Sequence, residues 1–120
     1  MKEDTVCTLV PYFKVHAGKI DAFRAGVAGF VDKTRNEAGC VHYAFSFDGD
    51  SAHCREGYVD AAALLAHLDN VGALLGEALK IADLVKLEVH APSAEIAKLR
   101  GPMAALKPQF YELVPGGLRR

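Results

Sequence analysis

Glu56-Gly-Tyr58 and His67 put a carboxylate, a phenol and an imidazole close together along this chain, and those three groups are the usual tools of proton transfer. Histidine is the side chain whose ordinary pKa leaves it ready to accept or donate a proton near neutral pH. Glu56 and His67 are therefore the candidate catalytic residues. Tyr43 and Tyr58 carry hydroxyls able to orient a bound molecule, and Phe45 and Leu64 are expected as apolar contacts beside them. These assignments require Glu56 and His67 to face the same space, so the elements that carry them decide the matter.

CVHYAFSFDGDSAHCREGYVD reads as two alternating runs joined by Asp48-Gly49-Asp50, a hairpin signal because tight turns need positive φ. With Asp48 opposite Ser51, one sheet face collects Val41, Tyr43, Phe45, Phe47, Ala52, Cys54, Glu56 and Tyr58. His42, Ser46, His53 and Arg55 take the other face. A one-residue slip in the turn would exchange the faces of the second strand and turn Glu56 away from the aromatic side. Asp60 is a plausible N-cap for the following helix, in which Leu64, His67, Leu68 and Val71 form one stripe.

Around this centre the periodicity predicts a strand over residues 5–15, with Pro11 marking an edge or bulge, and an amphipathic helix over 19–36. Glu37-Ala-Gly39 closes that helix, with Gly39 expected in a left-handed conformation. Gly72 and Gly76 predict a break between two short helical pieces after the His67 stripe. Leu84–His90 alternates as a strand, with Val85, Leu87 and Val89 on the core side. A further helix over 94–106, open to a break at Gly101-Pro102, and a strand in QFYELV form a C-terminal extension at residues 91–114, with Glu95, Lys98 and Arg100 on a solvated face, and a loose tail at 115–120 follows. The expected class is α+β, a ferredoxin-like βαββαβ antiparallel sheet with helices on one face, in a single domain over residues 1–120. Its uncovered face calls for a second copy of the same sheet, hence a symmetric homodimer.

Composition narrows the partners. The 120 residues are 51% hydrophobic and 24% charged with a net charge of −1, which excludes a disordered chain and offers no basic surface for nucleic acid. No apolar run approaches membrane-spanning length and the first residues do not resemble a signal peptide, so a cytoplasmic location is expected. Cys7, Cys40 and Cys54 lack zinc-site spacing and are expected as reduced thiols. No metal site is predicted, and the partner is expected to be a small molecule.

The βαββαβ order, Glu37-Ala-Gly39-Cys40 followed by Tyr43, and Glu56-Gly-Tyr58 followed by Ala66-His67 together resemble the antibiotic-biosynthesis monooxygenase-like (ABM) family of dimeric α/β barrels. The resemblance covers residues 6–89. It implies a pocket between sheet and helices, and oxygenation of quinol-like or polycyclic phenolic substrates without metal or flavin. Tyr58 stands where the family's aromatic residue, often tryptophan, is expected. Haem-binding members carry a histidine near the position of Glu77 and an asparagine on the first strand; both are missing here, so no cofactor is expected. Two other classes fit the same residues: an isomerase or cyclase using His67 or Glu56 as base, and a non-catalytic ligand-binding dimer.

Overall fold

The computed structural model describes all 120 residues. Its central sheet is built from β2 (Cys7–Val15), β3 (Cys40–Asp48), β4 (Ser51–Tyr58), β5 (Ala82–Ala91) and β6 (Gln109–Glu112), in the spatial order β3-β4-β2-β5-β6. The first four strands pair antiparallel, and with α1 (Ile20–Thr34) and α2 (Ala61–Ala78) they form the expected ferredoxin-like unit. Strand β6 joins the β5 edge in parallel, which extends the sheet and covers that edge. Between β5 and β6 lie α3 (Ser93–Leu99) and a single 3₁₀ turn at Ala104–Leu106, so the helical stretch over 94–106 is interrupted at Gly101-Pro102, the break its sequence left open. The C-terminal tail is tied down: β7 (Leu118–Arg119) pairs with β1 (Lys2–Glu3).

The hairpin register is the expected one. Asp48 pairs with Ser51, Phe45 with Cys54 and Tyr43 with Glu56. Positive φ at Gly49 alone fits a type II′ turn, which matches the twist of the two strands. At the far end the register shifts between Cys40 and His42, so Cys40 pairs with Tyr58, and Val41 lies exposed rather than on the aromatic face. A second shift between Tyr12 and Phe13 does the same to β5. Phe13 there pairs with Leu84 and Tyr12 with Lys86, and Val85 is 63% exposed instead of facing the core. Each bulge inserts one residue into an alternation that periodicity reads as unbroken. Pro11 lies beside the second bulge, yet in the central strand and not at an edge.

Helix α2 is continuous across Gly72 and Gly76. Neither glycine has a positive φ, and Leu68, Val71 and Leu75 hold that length of helix against the sheet. Packing over several turns outweighs about 1 kcal/mol of lost propensity per glycine. Asp60 caps α2 as expected, its Oδ1 accepting the Ala63 N–H at 2.8 Å. Glu95 of α3 accepts the Ala61 N–H at 2.9 Å, so this carboxylate ties the extension to α2 and does not simply face solvent.

Gly39 does not take the left-handed conformation expected of it. Its role is close approach: a Cβ there would sit 2.5 Å from the Ala63 Cβ, so the turn between α1 and β3 packs directly on the first turn of α2. One hydrophobic cluster joins Cys7, Leu9, Tyr58, Leu64 and Val89 to Ile96, Leu99 and Met103 of the extension. A smaller one, around Phe13, Phe23 and Ala52, lies towards the hairpin turn.

Candidate active site

Glu56 is carried to the helix-covered face by the hairpin register, and His67 points down onto it from the second turn of α2. Both are almost completely buried, at 3% and 2% exposure. His67 Nε2 lies 3.2 Å from Glu56 Oε1. The other ring nitrogen, Nδ1, lies 2.9 and 3.1 Å from the two carboxylate oxygens of Glu37. A neutral imidazole has one N–H and could serve only one of these acceptors, whereas imidazolium serves both. Burial alone lowers the His67 pKa, but the Glu56 and Glu37 carboxylates more than offset it and raise it above the ordinary histidine value.

The surrounding groups lock this arrangement. The Tyr58 hydroxyl donates to Glu56 Oε1 at 2.6 Å. Asn70 Nδ2 donates to Glu37 Oε2 at 2.8 Å and to the Lys33 carbonyl at 3.0 Å, fixing Glu37 against the end of α1. Every buried side-chain nitrogen and oxygen has a partner. Burial, then the charge of Glu56, pushes the Tyr58 hydroxyl far above the usual phenol range, and burial with Cys54 and Glu56 does the same for Tyr43, so both remain proton donors. Burial is also the main cause that lifts the Cys40 thiol to about 11, and it pushes Cys54 well above the ordinary thiol value. Neither sulfur is a nucleophile near neutral pH. No group of three or more His, Cys, Asp or Glu is placed to hold a metal ion.

Beside the pair is a cavity with about 40 Å³ of free space, walled by Glu56, His67, Pro11 and eleven hydrophobic residues, among them Tyr43, Phe30, Phe45, Leu84, Leu87 and Leu106. Four of the six residues proposed from the sequence thus meet at one space: Glu56, His67, Tyr43 and Phe45. Tyr58 and Leu64 do not line it. Tyr58 is fully buried behind Glu56, and Leu64 sits one turn before His67 in the main hydrophobic cluster. Sequence reasoning missed the role of Glu37, read as part of a helix end and of the family-like passage into the next strand, and Leu106, which reaches the cavity from the extension. The distance from Gly39 to Ala63 was the missing signal, because it brings Glu37 within reach of the histidine one turn further along α2.

The profile of the antibiotic biosynthesis monooxygenase family matches residues 7–74, more than half of the chain. This chain belongs to that family. The solved structure of MupZ from Pseudomonas fluorescens is similar at 46% identity and a TM-score of 0.91, covering 97% of this ABM protein and 96% of MupZ. Rv0793 from Mycobacterium tuberculosis is 23% identical with a TM-score of 0.63, covering 72% of this chain and 94% of its own. A protein described as an antibiotic biosynthesis monooxygenase is 19% identical with a TM-score of 0.63, covering 69% and 94%. At those identities the last two share the fold. No curated protein matches.

The similar structures fall into two groups by length. The two shorter chains are spanned almost whole by about seven tenths of this one, whereas MupZ matches it end to end. A C-terminal extension such as the one that contributes Leu106 to the cavity is therefore a shared feature of the ABM protein and MupZ, not a general one. No helix of the ABM protein is long and apolar enough to cross a membrane.

Proposed function

We propose that this ABM protein is an acid–base enzyme that moves a proton within a small, largely apolar molecule, an isomerisation or ring closure, with Glu56 as the group that takes the proton. The observation that carries this reading is the Glu56–His67 contact at 3.2 Å on the wall of an otherwise apolar cavity. A buried carboxylate beside a charged imidazole is a proton acceptor held in place with few waters to compete. Tyr43, kept protonated by burial, is the hydroxyl available to a substrate oxygen, and Phe45 packs beside it with ring centroids 5.8 Å apart. Tyr58 is assigned to holding Glu56 and Leu64 to supporting α2 from behind.

Charge favours a reaction in which the proton is returned. Glu37, His67 and Glu56 together hold two carboxylates and one imidazolium, so a substrate anion that accumulated in the cavity would face a site that is already negative. Oxygenation of an electron-rich phenol, which proceeds through such an anion, is the second reading. It is supported by the family to which the chain belongs. A homodimer closed over the outer sheet face is part of the proposal. Three unpaired cysteines suit a reducing compartment, and we include a cytoplasmic location in the reading.

The test is incubation in D₂O, with and without oxygen, of a panel of enolisable ketones and polycyclic phenols, followed by mass spectrometry. Deuterium uptake or rearrangement that persists without oxygen and is lost in Glu56→Gln is the expected result. Turnover that stops when oxygen is removed would move the assignment to oxygenation. Saturable binding with no chemistry under either condition would leave a ligand-binding module.

A further inference from the structure

The two ring nitrogens of His67 face different compartments. Nε2 faces Glu56 and the apolar cavity, whereas Nδ1 faces Glu37, which does not line that cavity. Glu37 lines instead a separate surface depression of about 200 Å³ together with Thr34, Arg35, Cys40, His42 and Tyr43. Its side chain is 13% exposed against 4% for Glu56 and 2% for His67, so within this group it is the member that meets water. Asn70 and the Lys33 carbonyl hold it there.

We propose that Glu37 is a positioning residue through which His67 exchanges its Nδ1 proton with solvent, so that the charge of the ring follows the bulk solution from the outer depression rather than through the apolar cavity. This inference rests on the acid–base reading of the Glu56–His67 pair. In the exchange, the Nδ1–H bond breaks with its electron pair left on nitrogen, the proton passes to a Glu37 oxygen, and that oxygen releases it to water; the reverse steps recharge the ring. Nε2–H stays with Glu56 throughout. Between turnovers this route sets the charge of the ring from the outer side, whereas a proton that Glu56 takes from a substrate and then returns leaves the charge of the site unchanged.

The groups facing the histidine are few. They are Glu37 from the α1–β3 turn, Glu56 and Tyr58 from β4, and Tyr43 from β3. Cys40, His42 and Arg35 border the outer side. Of these, Glu37 alone bonds the outward nitrogen, through both of its oxygens.

The experiment is NMR of the full chain with ¹⁵N-labelled histidine, measuring the His67 titration and the rate at which each ring N–H exchanges with water, in the parent protein, Glu37→Gln and Glu56→Gln. The expected result is that Nδ1–H exchanges faster than Nε2–H in the parent. Glu37→Gln, which keeps the shape but not the charge, lowers the titration midpoint and slows Nδ1–H exchange at least tenfold. Glu56→Gln lowers the midpoint and leaves Nδ1–H exchange fast. Exchange unchanged in Glu37→Gln but slowed in Glu56→Gln would overturn the proposal while leaving the acid–base pair intact. A midpoint that neither variant moves would overturn the acid–base reading itself. Should Glu37→Gln not fold, Asn70→Ala keeps the carboxylate and removes its clamp, and an unchanged Nδ1–H exchange rate there would count against the proposal.

Discussion

Glu56 and His67 were legible in the sequence because chemistry and pattern coincide at both: a carboxylate on an aromatic strand face and an imidazole on an apolar helical stripe are each costly without a partner. Glu37 was not legible, because a glutamate near a helix end is ordinary on any surface and only the tertiary approach of α2 gives it a role. The raised His67 pKa makes a directional prediction. The stability contributed by the ion pairs is fully present below the unfolded value of about 6.5 and is lost as pH rises through the higher folded value. His67→Gln should therefore be less stable than the parent by about 3 kcal/mol at pH 6, a lone-partner loss in a buried pair. The gap should narrow as the pH is raised towards 10, as read by urea unfolding of both proteins across that range. A constant gap would mean that His67 is neutral in the folded state.

At the scale of the elements, alternation identified every strand of the sheet core and the capped start of α2, but not the two bulges that expose Val41 and Val85. A bulge is settled by the neighbouring strand, and local periodicity does not contain the neighbour. Glycine was misjudged for the same reason, since its meaning depends on what lies against it. Gly39→Ala would place a Cβ 2.5 Å from the Ala63 Cβ, backbone-borne atoms that cannot swing aside. The expected cost is about 1–3 kcal/mol in chemical denaturation. The His67 titration midpoint should also fall, because α2 moves away from Glu37. Gly76→Ala is the opposite case. A Cβ there meets nothing within 4 Å and the residue has ordinary helical φ, so the substitution should stabilise the protein by about 0.4–1 kcal/mol. A neutral or destabilising result would show that α2 needs the bend its sequence suggests.

For the molecule as a whole, the ferredoxin-like order followed from counting elements, whereas the extension did not declare its purpose until Leu106 was found in the cavity wall and Ile96, Leu99 and Met103 in the core. That wall leaves about 40 Å³ of free space, enough for a few waters and well short of the roughly 300–1,000 Å³ typical of ligand sites. Binding must therefore move a wall. Phe30 and Phe45 are the natural ones, since both also line a groove of about 300 Å³ between α1 and α2. Phe30→Ala removes the larger part of one partition, and the cavity and groove should then behave as one space. The expected outcome is that a bulky apolar probe such as anilinonaphthalene sulfonate binds the variant at least tenfold more tightly than the parent, by fluorescence titration, at a cost of about 3–5 kcal/mol in stability. Glu56→Gln in the same background should alter the emission of the bound probe, because a probe that has entered the joined space lies against that carboxylate. If binding tightens but the emission ignores Glu56, the probe occupies the groove alone, and the substrate must reach the pair past Leu106 and the extension instead.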